Sequence, residues 1–345
     1  MNKIVSVFKL DTKEIQDELG KEQYSLVYLQ LPEGLQHYAL EIKTWLEDQF
    51  DITIILDANP CYGSCDIPEE SMLEKIKVNA VVQIGHVPIP SMNINNQSIP
   101  IFFVNALSTI PIEQVLKKSI PHLVGKQIGI ITTAQYFQKR KDIKKILENN
   151  GFTITITKGD TRLSFNGHVL GCNFTSATRI AHDVDSFLFV GSGLFHPLGL
   201  LLSTNKPVIC ADPYSNQVID TKTLEEKKQQ VLKQRYGAIA SAEHAQTIAI
   251  IIGLKPGQMR YHYALQLEKS IQEAGKQSLL LAADTITSSF IDRFPFVDVF
   301  VSTACPRIAI DDYPCYKKPI LTPIELEIAL HKKDWDEYVF DEITD

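Results

Sequence analysis

Short runs of aliphatic residues recur along this chain, most followed by a loop and then a stretch of helical periodicity. The first lies at 25–31 (SLVYLQL), ends in Pro32-Glu33-Gly34 and leads into a helix over 35–50. Behind it come a strand at 52–56, a loop holding Cys61 and Cys65, a helix near 69–78, and strands at 80–84 and 101–104. Near residue 125 the order restarts with strand 127–132 (QIGIIT), a helix to 150, strand 152–157, a loop with Cys172, and strands 186–190 and 207–211. It restarts again at 247–253 (TIAIIIG), then Lys255-Pro256-Gly257-Gln258, a helix to 274, strand 278–282, a helix near 286–294, and strands 297–301 and 319–321. Continuous apolar strands alternating with helices specify parallel sheets of βαβ units, buried on both faces. Residues 1–24 read as a charged amphipathic lead-in.

A period of roughly 110 residues, each unit opening with strand, turn and helix, predicts an α/β fold of three related small parallel-sheet domains. The boundaries fall at 1–120, with Cys65, at 121–240, with Cys172, and at 241–345, with Cys305. One large doubly wound sheet is the alternative. The cysteines favour three domains, because each third supplies a thiol at a strand end, where α/β sheets place ligands. A metal group at the centre would clamp the three together.

At 345 residues and 44% apolar side chains, the chain can bury a large core. No apolar run reaches the ~18 residues that span a bilayer, and the N-terminus lacks the pattern of a signal peptide, so the expected compartment is the cytoplasm. A net charge of −7 argues against nonspecific nucleic-acid binding. The one dense basic run, Lys139, Arg140, Lys141, Lys144 and Lys145, is read as a solvated helix face.

Six cysteines without a secretory leader point to metal binding or catalysis rather than disulfides. Cys61 and Cys65 have no third cysteine nearby, and there are no paired Cys-x-x-Cys knuckles. Singly, each is more often a small buried hydrophobe than a ligand. Together they say more. Pro306 suits a first helical position, which would set the Cys305 thiol at a helix N-terminus, where a thiolate is favoured; Cys65 precedes Asp66 and a predicted helix in the same way. Three thiolates suit a [4Fe–4S] cluster with one iron left open for a substrate. Cys210 is read as core and Cys315 as a loop or packing residue. Pro32-Glu33-Gly34 and the run from Lys255 to Arg260 each follow a first strand and open a helix, either as an anion site or as an ordinary turn. His196, in GSGLFHPLG, is read as a structural histidine rather than polar lining. No G-x-G-x-x-G or Walker loop indicates a nucleotide.

LPEGL (31–35), NPCYGSCD (59–66), GHVLGC (167–172), GSGLFHPLGL (191–200), KPGQMR (255–260) and STACPRIAIDD (302–312) together resemble the diphthamide synthase family in its archaeal homodimeric form, over nearly the whole chain. The resemblance implies an atypical radical enzyme. A reduced [4Fe–4S] cluster on Cys65, Cys172 and Cys305 would cleave the Cγ–S bond of S-adenosylmethionine. The resulting 3-amino-3-carboxypropyl radical would add to the imidazole C2 of a histidine in translation elongation factor 2. Cys61 is left out of the ligand set. Glu33, Gly34, Gln258 and Arg260 are the candidates for holding the methionine part or the adenosine. The implied partners are the elongation factor, a second copy of the chain and an electron donor, with no membrane or direct nucleic acid. Two rivals compete: an iron–sulfur dehydratase resembling quinolinate synthase, against which the motifs argue, and a noncatalytic partner subunit, which the presence of all three cysteines disfavours.

Overall fold

The computed structural model describes residues 7–12, 15, 16, 19, 24–92, 94 and 97–344. Most of the amphipathic lead-in expected over 1–24 therefore lies outside the described residues. Three sheets follow one another along the chain. The first has the order β1-β5-β4-β2-β3, formed by Phe8–Asp11 (β1), Leu26–Gln30 (β2), Thr53–Leu56 (β3), Ala80–Ile84 (β4) and Ile101–Ser108 (β5). The second has the order β10-β9-β8-β6-β7, formed by Gln127–Thr132 (β6), Thr153–Thr155 (β7), Ser186–Val190 (β8), Val208–Asp212 (β9) and Gln217–Ile219 (β10). The third, β12-β11-β13-β14, consists of Thr247–Gly253 (β11), Gln277–Ala283 (β12), Val299–Ser302 (β13) and Ile320–Leu321 (β14).

Each sheet repeats one parallel arrangement. The opening strand (β2, β6 or β11) pairs with the second strand on one side and with the third on the other, and the fourth lies beyond the third. Helical crossovers on both faces explain the composition: every residue of β4 (AVVQI) and β8 (SFLFV) is buried. The strand order reverses beside the opening strand, and at such a switch point the loops diverge and leave a crevice.

The structure departs from the sequence reading in four ways. The edge strands β1 (FKLD) and β10 (QVI) run antiparallel to β5 and β9, and both are too short and too mixed in polarity to announce themselves. The helix expected over 35–50 is interrupted at Tyr38 (φ −103°, ψ 7°), leaving Glu33–Gln36 and Ala39–Phe50. A 23-residue helix, Thr221–Glu243, joins the second and third sheets, its Leu224 in the core of one and its Ile239 and Ala242 in the core of the other. Its Lys/Gln-rich sequence hides that role. The Asp220 carboxylate caps it by accepting from the Thr223 N–H at 2.9 Å. Its buried Arg235 donates to both Glu325 oxygens (2.7 and 2.5 Å) and to the carbonyls of Ala309 and Ile320. Glu325 belongs to the fourth departure, the helix Pro323–Ala329, where it completes a capping box with Thr322. Among the described residues no helix is long and apolar enough to cross a membrane.

Candidate functional site

Cys65 lies in a turn beyond β3, on a floor of buried amides. Gln30 Nε2 donates to Asp57 (3.0 Å), and Gln83 Nε2 donates to Gln30 Oε1 (3.0 Å) and to the Asp66 carbonyl (3.3 Å). The third sheet supplies the other wall. Lys255 Nζ reaches Asp66 Oδ1 at 2.6 Å in a buried ion pair, with the Tyr62 ring 5.7 Å from the ammonium. The Gly257 N–H donates to the Cys65 carbonyl (3.0 Å), and Gln258 Nε2 donates to Cys65 Sγ (3.4 Å). The helix after Cys65 begins only at Glu70, which corrects the expectation that this thiol opens a helix.

Cys172 sits in a tight turn closed by reciprocal backbone hydrogen bonds between Leu170 and Asn173. Asn173, fully buried, donates through Nδ2 to Asp160 (2.8 Å) and to the Ile343 carbonyl (3.0 Å), while the Ile343 N–H donates to the Cys172 carbonyl (2.8 Å). The C-terminal segment thus clamps this loop. Arg162 lies beside it, its Nη2 donating to the Gly257 carbonyl at 2.9 Å and its guanidinium opposing the burial that raises the Cys172 pKa.

Cys305 follows β13. Thr303 anchors its loop by donating through Oγ1 to the Ile251 carbonyl (3.0 Å). Arg260 braces it from the side: Nε donates to the Thr303 carbonyl (2.7 Å), Nη2 to the Ala304 carbonyl (3.3 Å), and Nη1 and Nη2 fork onto Asp341 (3.0 and 2.6 Å). Pro306 is the N-cap of the helix Arg307–Ile310, and the Arg307 N–H faces the Cys305 thiol.

The three thiols feel one another. Burial is the largest influence and pushes all three up, Cys172 to about 12; beyond it, Cys65 raises Cys172, and both raise Cys305. The thiolate-favouring helix end expected at Cys305 is therefore outweighed: the Arg307 N–H lowers its pKa, but desolvation dominates. Thiols in this setting ionise only against a bound cationic group. Among the described residues no three His, Cys, Asp or Glu side chains gather as a single-ion site. Soft sulfur donors on three loops, with the Gln258 amide N–H on one sulfur, fit an iron–sulfur group by donor chemistry. Cys61 lies 3.9 Å from His86 Nδ1 with its thiol pushed up to about 12 by burial, Cys210 is core, and Cys315 is exposed in a short 3-10 turn.

The four small-molecule candidates are spread unevenly. Gln258 is on the Cys65 sulfur, whereas Arg260 has its donors engaged by Asp341 and the Cys305 loop. Glu33 and Gly34 are exposed in a four-residue helix, with Glu33 close enough to raise the Tyr62 pKa. The Lys255 loop does not offer a free anion nest, since the Gly257 and Gln258 N–H groups bond the carbonyls of Cys65 and Lys255. His196 stacks on Phe189 with its pKa pushed down to about 4 by burial, as a structural histidine does. The basic run is only partly a solvated face: Arg140 lies over the Phe165 ring and donates to the Phe137 and Asn166 carbonyls, while Lys141, Lys144 and Lys145 are exposed. Arg162, the Lys255–Asp66 pair and the segment Asp341 to Ile343 had no signature in spacing or periodicity, because their partners lie 95 to 189 residues away in sequence for the first two.

The family model for diphthamide synthesis proteins matches residues 31–339. The chain is 34% identical to the 2-(3-amino-3-carboxypropyl)histidine synthase of Pyrococcus horikoshii, across 97% of this chain and 94% of that protein. It is 28% identical to the Methanocaldococcus jannaschii protein of the same name, across 99% and 95%. The crystal structure of Dph2 from Pyrococcus horikoshii with a 4Fe–4S cluster superposes with a TM-score of 0.85 at 32% identity, covering 98% of this chain and 95% of that one. With a family match over most of its length and a relative above 30% identity end to end, the chain belongs to the diphthamide synthesis protein family.

Proposed function

We propose that the chain is a 2-(3-amino-3-carboxypropyl)histidine synthase, which transfers a 3-amino-3-carboxypropyl group from S-adenosylmethionine to a histidine of translation elongation factor 2. This is the first step of diphthamide biosynthesis. The observation that carries the reading is that the loops of Cys65, Cys172 and Cys305, from three different sheets, are tied together through Gly257, Arg162, Arg260 and the segment Asp341 to Ile343. On this reading the chain has three α/β domains, 1–120, 121–240 and 241–345, each contributing one ligand. Cys65, Cys172 and Cys305 would hold a [4Fe–4S] cluster with three thiolates, one fewer than the four that close it. When bound, the cluster supplies the single electron that breaks the Cγ–S bond, giving methylthioadenosine and the 3-amino-3-carboxypropyl radical.

The protein's own work is holding and orienting. Gln258 directs an amide N–H onto the Cys65 sulfur, and Arg260 fixes the backbone on which Cys305 is mounted. Lys255 and Asp66 keep the Cys65 loop against the third sheet. Glu33 and Gly34, exposed beyond the opening strand of the first sheet, form the rim that the S-adenosylmethionine amino acid would meet. The enzyme acts as a homodimer in the cytoplasm and takes its electrons from a separate donor.

The test is anaerobic reconstitution with iron and sulfide, followed by dithionite and S-adenosylmethionine. Methylthioadenosine should appear, and Cys65→Ala, Cys172→Ala and Cys305→Ala should each abolish it. Adding the elongation factor should then yield the modified histidine by mass spectrometry. A wild-type protein that assembles the cluster yet leaves S-adenosylmethionine intact would overturn the reading.

A further inference from the structure

We infer that Arg162 is a positioning residue of the thiol site, a buried guanidinium without a carboxylate partner that is fixed against the Cys65 and Cys172 loops and makes the bound iron–sulfur group easier to reduce. The inference rests on the iron–sulfur reading above. The other cations that border the three loops are neutralised: Lys255 pairs with Asp66 and Asp284, Arg260 with Asp341, and Arg307 with Asp311. Among the described residues Arg162 forms no ion pair, although it is only 7% exposed. The nearest carboxylate in sequence, Asp160, accepts instead from the Arg162 backbone N–H (3.1 Å) and from Asn173 Nδ2 (2.8 Å).

The placement of the guanidinium is fixed. Nη2 donates to the Gly257 carbonyl, and the Gly257 N–H donates to the Cys65 carbonyl, so one short chain of bonds ties Arg162 to the loops of Cys172 and Cys65. Its Nε–H is buried and has no acceptor. A buried donor left unpaired is costly and persists where something else is to be bound. The groups that do sense Arg162 are the Cys65 and Cys172 thiols. Adding an electron to a buried, already anionic group is opposed by the low dielectric around it. A fixed cation beside the site relieves that opposition, and local charge is one of the protein's main controls over such potentials.

The full-length wild type, Arg162→Gln and Arg162→Lys should be reconstituted anaerobically, their iron and sulfide contents matched, and their midpoint potentials read by EPR-monitored dithionite titration. Arg162→Gln should be at least tenfold harder to reduce, a shift of about 59 mV to more negative potential for one electron. Arg162→Lys, which keeps the charge but loses the planar fork, should shift less in the same direction. An unchanged midpoint in Arg162→Gln with full cluster content overturns the inference. If Arg162→Gln assembles no cluster, the lysine variant decides alone: a negative shift supports the role and an unchanged midpoint refutes it. A wild type that assembles no cluster at all refutes the iron–sulfur reading itself, a result distinct from any difference among the variants.

Discussion

Replacing Gly257 by Ala asks whether the Cys65 loop is truly held from the third sheet. A Cβ at position 257 meets Cys65 Cβ at 2.5 Å, Cys65 Cα at 2.6 Å and Met92 Sδ at 2.8 Å. The methionine can swing aside, but the Cys65 backbone cannot move freely. Its carbonyl accepts from Gly257, and Asp66 is tied to Lys255 and Gln83. Forcing a methyl group into such packing costs about 1–3 kcal/mol. Parting the two loops also weakens the Gly257-to-Cys65 hydrogen bond, worth about 1 kcal/mol. Against this, alanine restricts the unfolded chain, a gain of about 0.4–1 kcal/mol. The balance is a loss near 2 kcal/mol, read as a lower urea midpoint at an unchanged denaturant slope. Because the displaced atoms carry a proposed ligand, iron retained per chain after reconstitution and gel filtration should fall as well. Gly34→Ala is the control: its added Cβ has nothing within 4 Å, so stability should stay within about 0.5 kcal/mol of wild type. Wild-type stability and full iron content in Gly257→Ala would refute the reasoning.

Three further outcomes follow from the same geometry. Asp341→Asn should reproduce most of the stability loss of Arg260→Ala, about 3–5 kcal/mol for breaking a buried pair, in thermal unfolding; an Asp341→Asn protein as stable as wild type would return Arg260 to the substrate pocket. Glu325→Gln should leave the Arg235 charge uncompensated between the long helix and the third sheet and cost a similar about 3–5 kcal/mol, measured by urea denaturation. His168, stacked on Phe165, is pushed down by burial from 6.5 to about 3. The unfolded chain thus binds the proton more tightly, and the contribution is fully present above pH 6.5 and lost as pH falls toward 3, at up to about 1.4 kcal/mol per pH unit. His168→Phe should flatten that acid limb of the stability curve by one proton.

The parallel strands were legible because each is buried on both faces and reads as an unbroken aliphatic run, as in QIGIIT for β6 and TIAIIIG for β11. The Cys305 loop was legible for a related reason: it ends such a run with residues that neither helix nor strand tolerates well, whereas Cys172 lies 17 residues past β7 in a turn of its own. Edge strands escaped notice because one neighbour and one wet face leave little pattern over three or four residues. The helix Thr221–Glu243 escaped because only four of its residues are buried, and one of these is an arginine. At the site, sequence suggested the thiols but not their ionisation. Reading Cys305 as a thiolate weighed the helix start, where an N–H does face the sulfur, without the desolvation that a tertiary structure imposes. Arg260 has the residue type of a carboxylate binder, and only the fold reveals that its carboxylate is Asp341 of the same chain.

Several of the bonds that surround the thiols join segments that belong to different sheets or to the C-terminal segment. Lys255 to Asp66 and Gly257 to Cys65 connect the third unit with the first, Arg162 to Gly257 connects the second with the third, and Ile343 to Cys172 returns the chain end to the second. No single unit could therefore set the spacing of even two thiols by itself. The site forms only when the three units dock, and a group bound by all three loops stabilises the docked state by its full binding free energy. The same logic explains most of the charges. Apart from Arg162, the buried cations at the seams are matched across them or close by, Lys255 by Asp66 and Arg260 by Asp341, because a misdocked unit would strand an unpaired charge at a cost of several kcal/mol. These pairs penalise incorrect docking more than they strengthen the correct one, which suits a centre whose ligands must arrive from three directions at once.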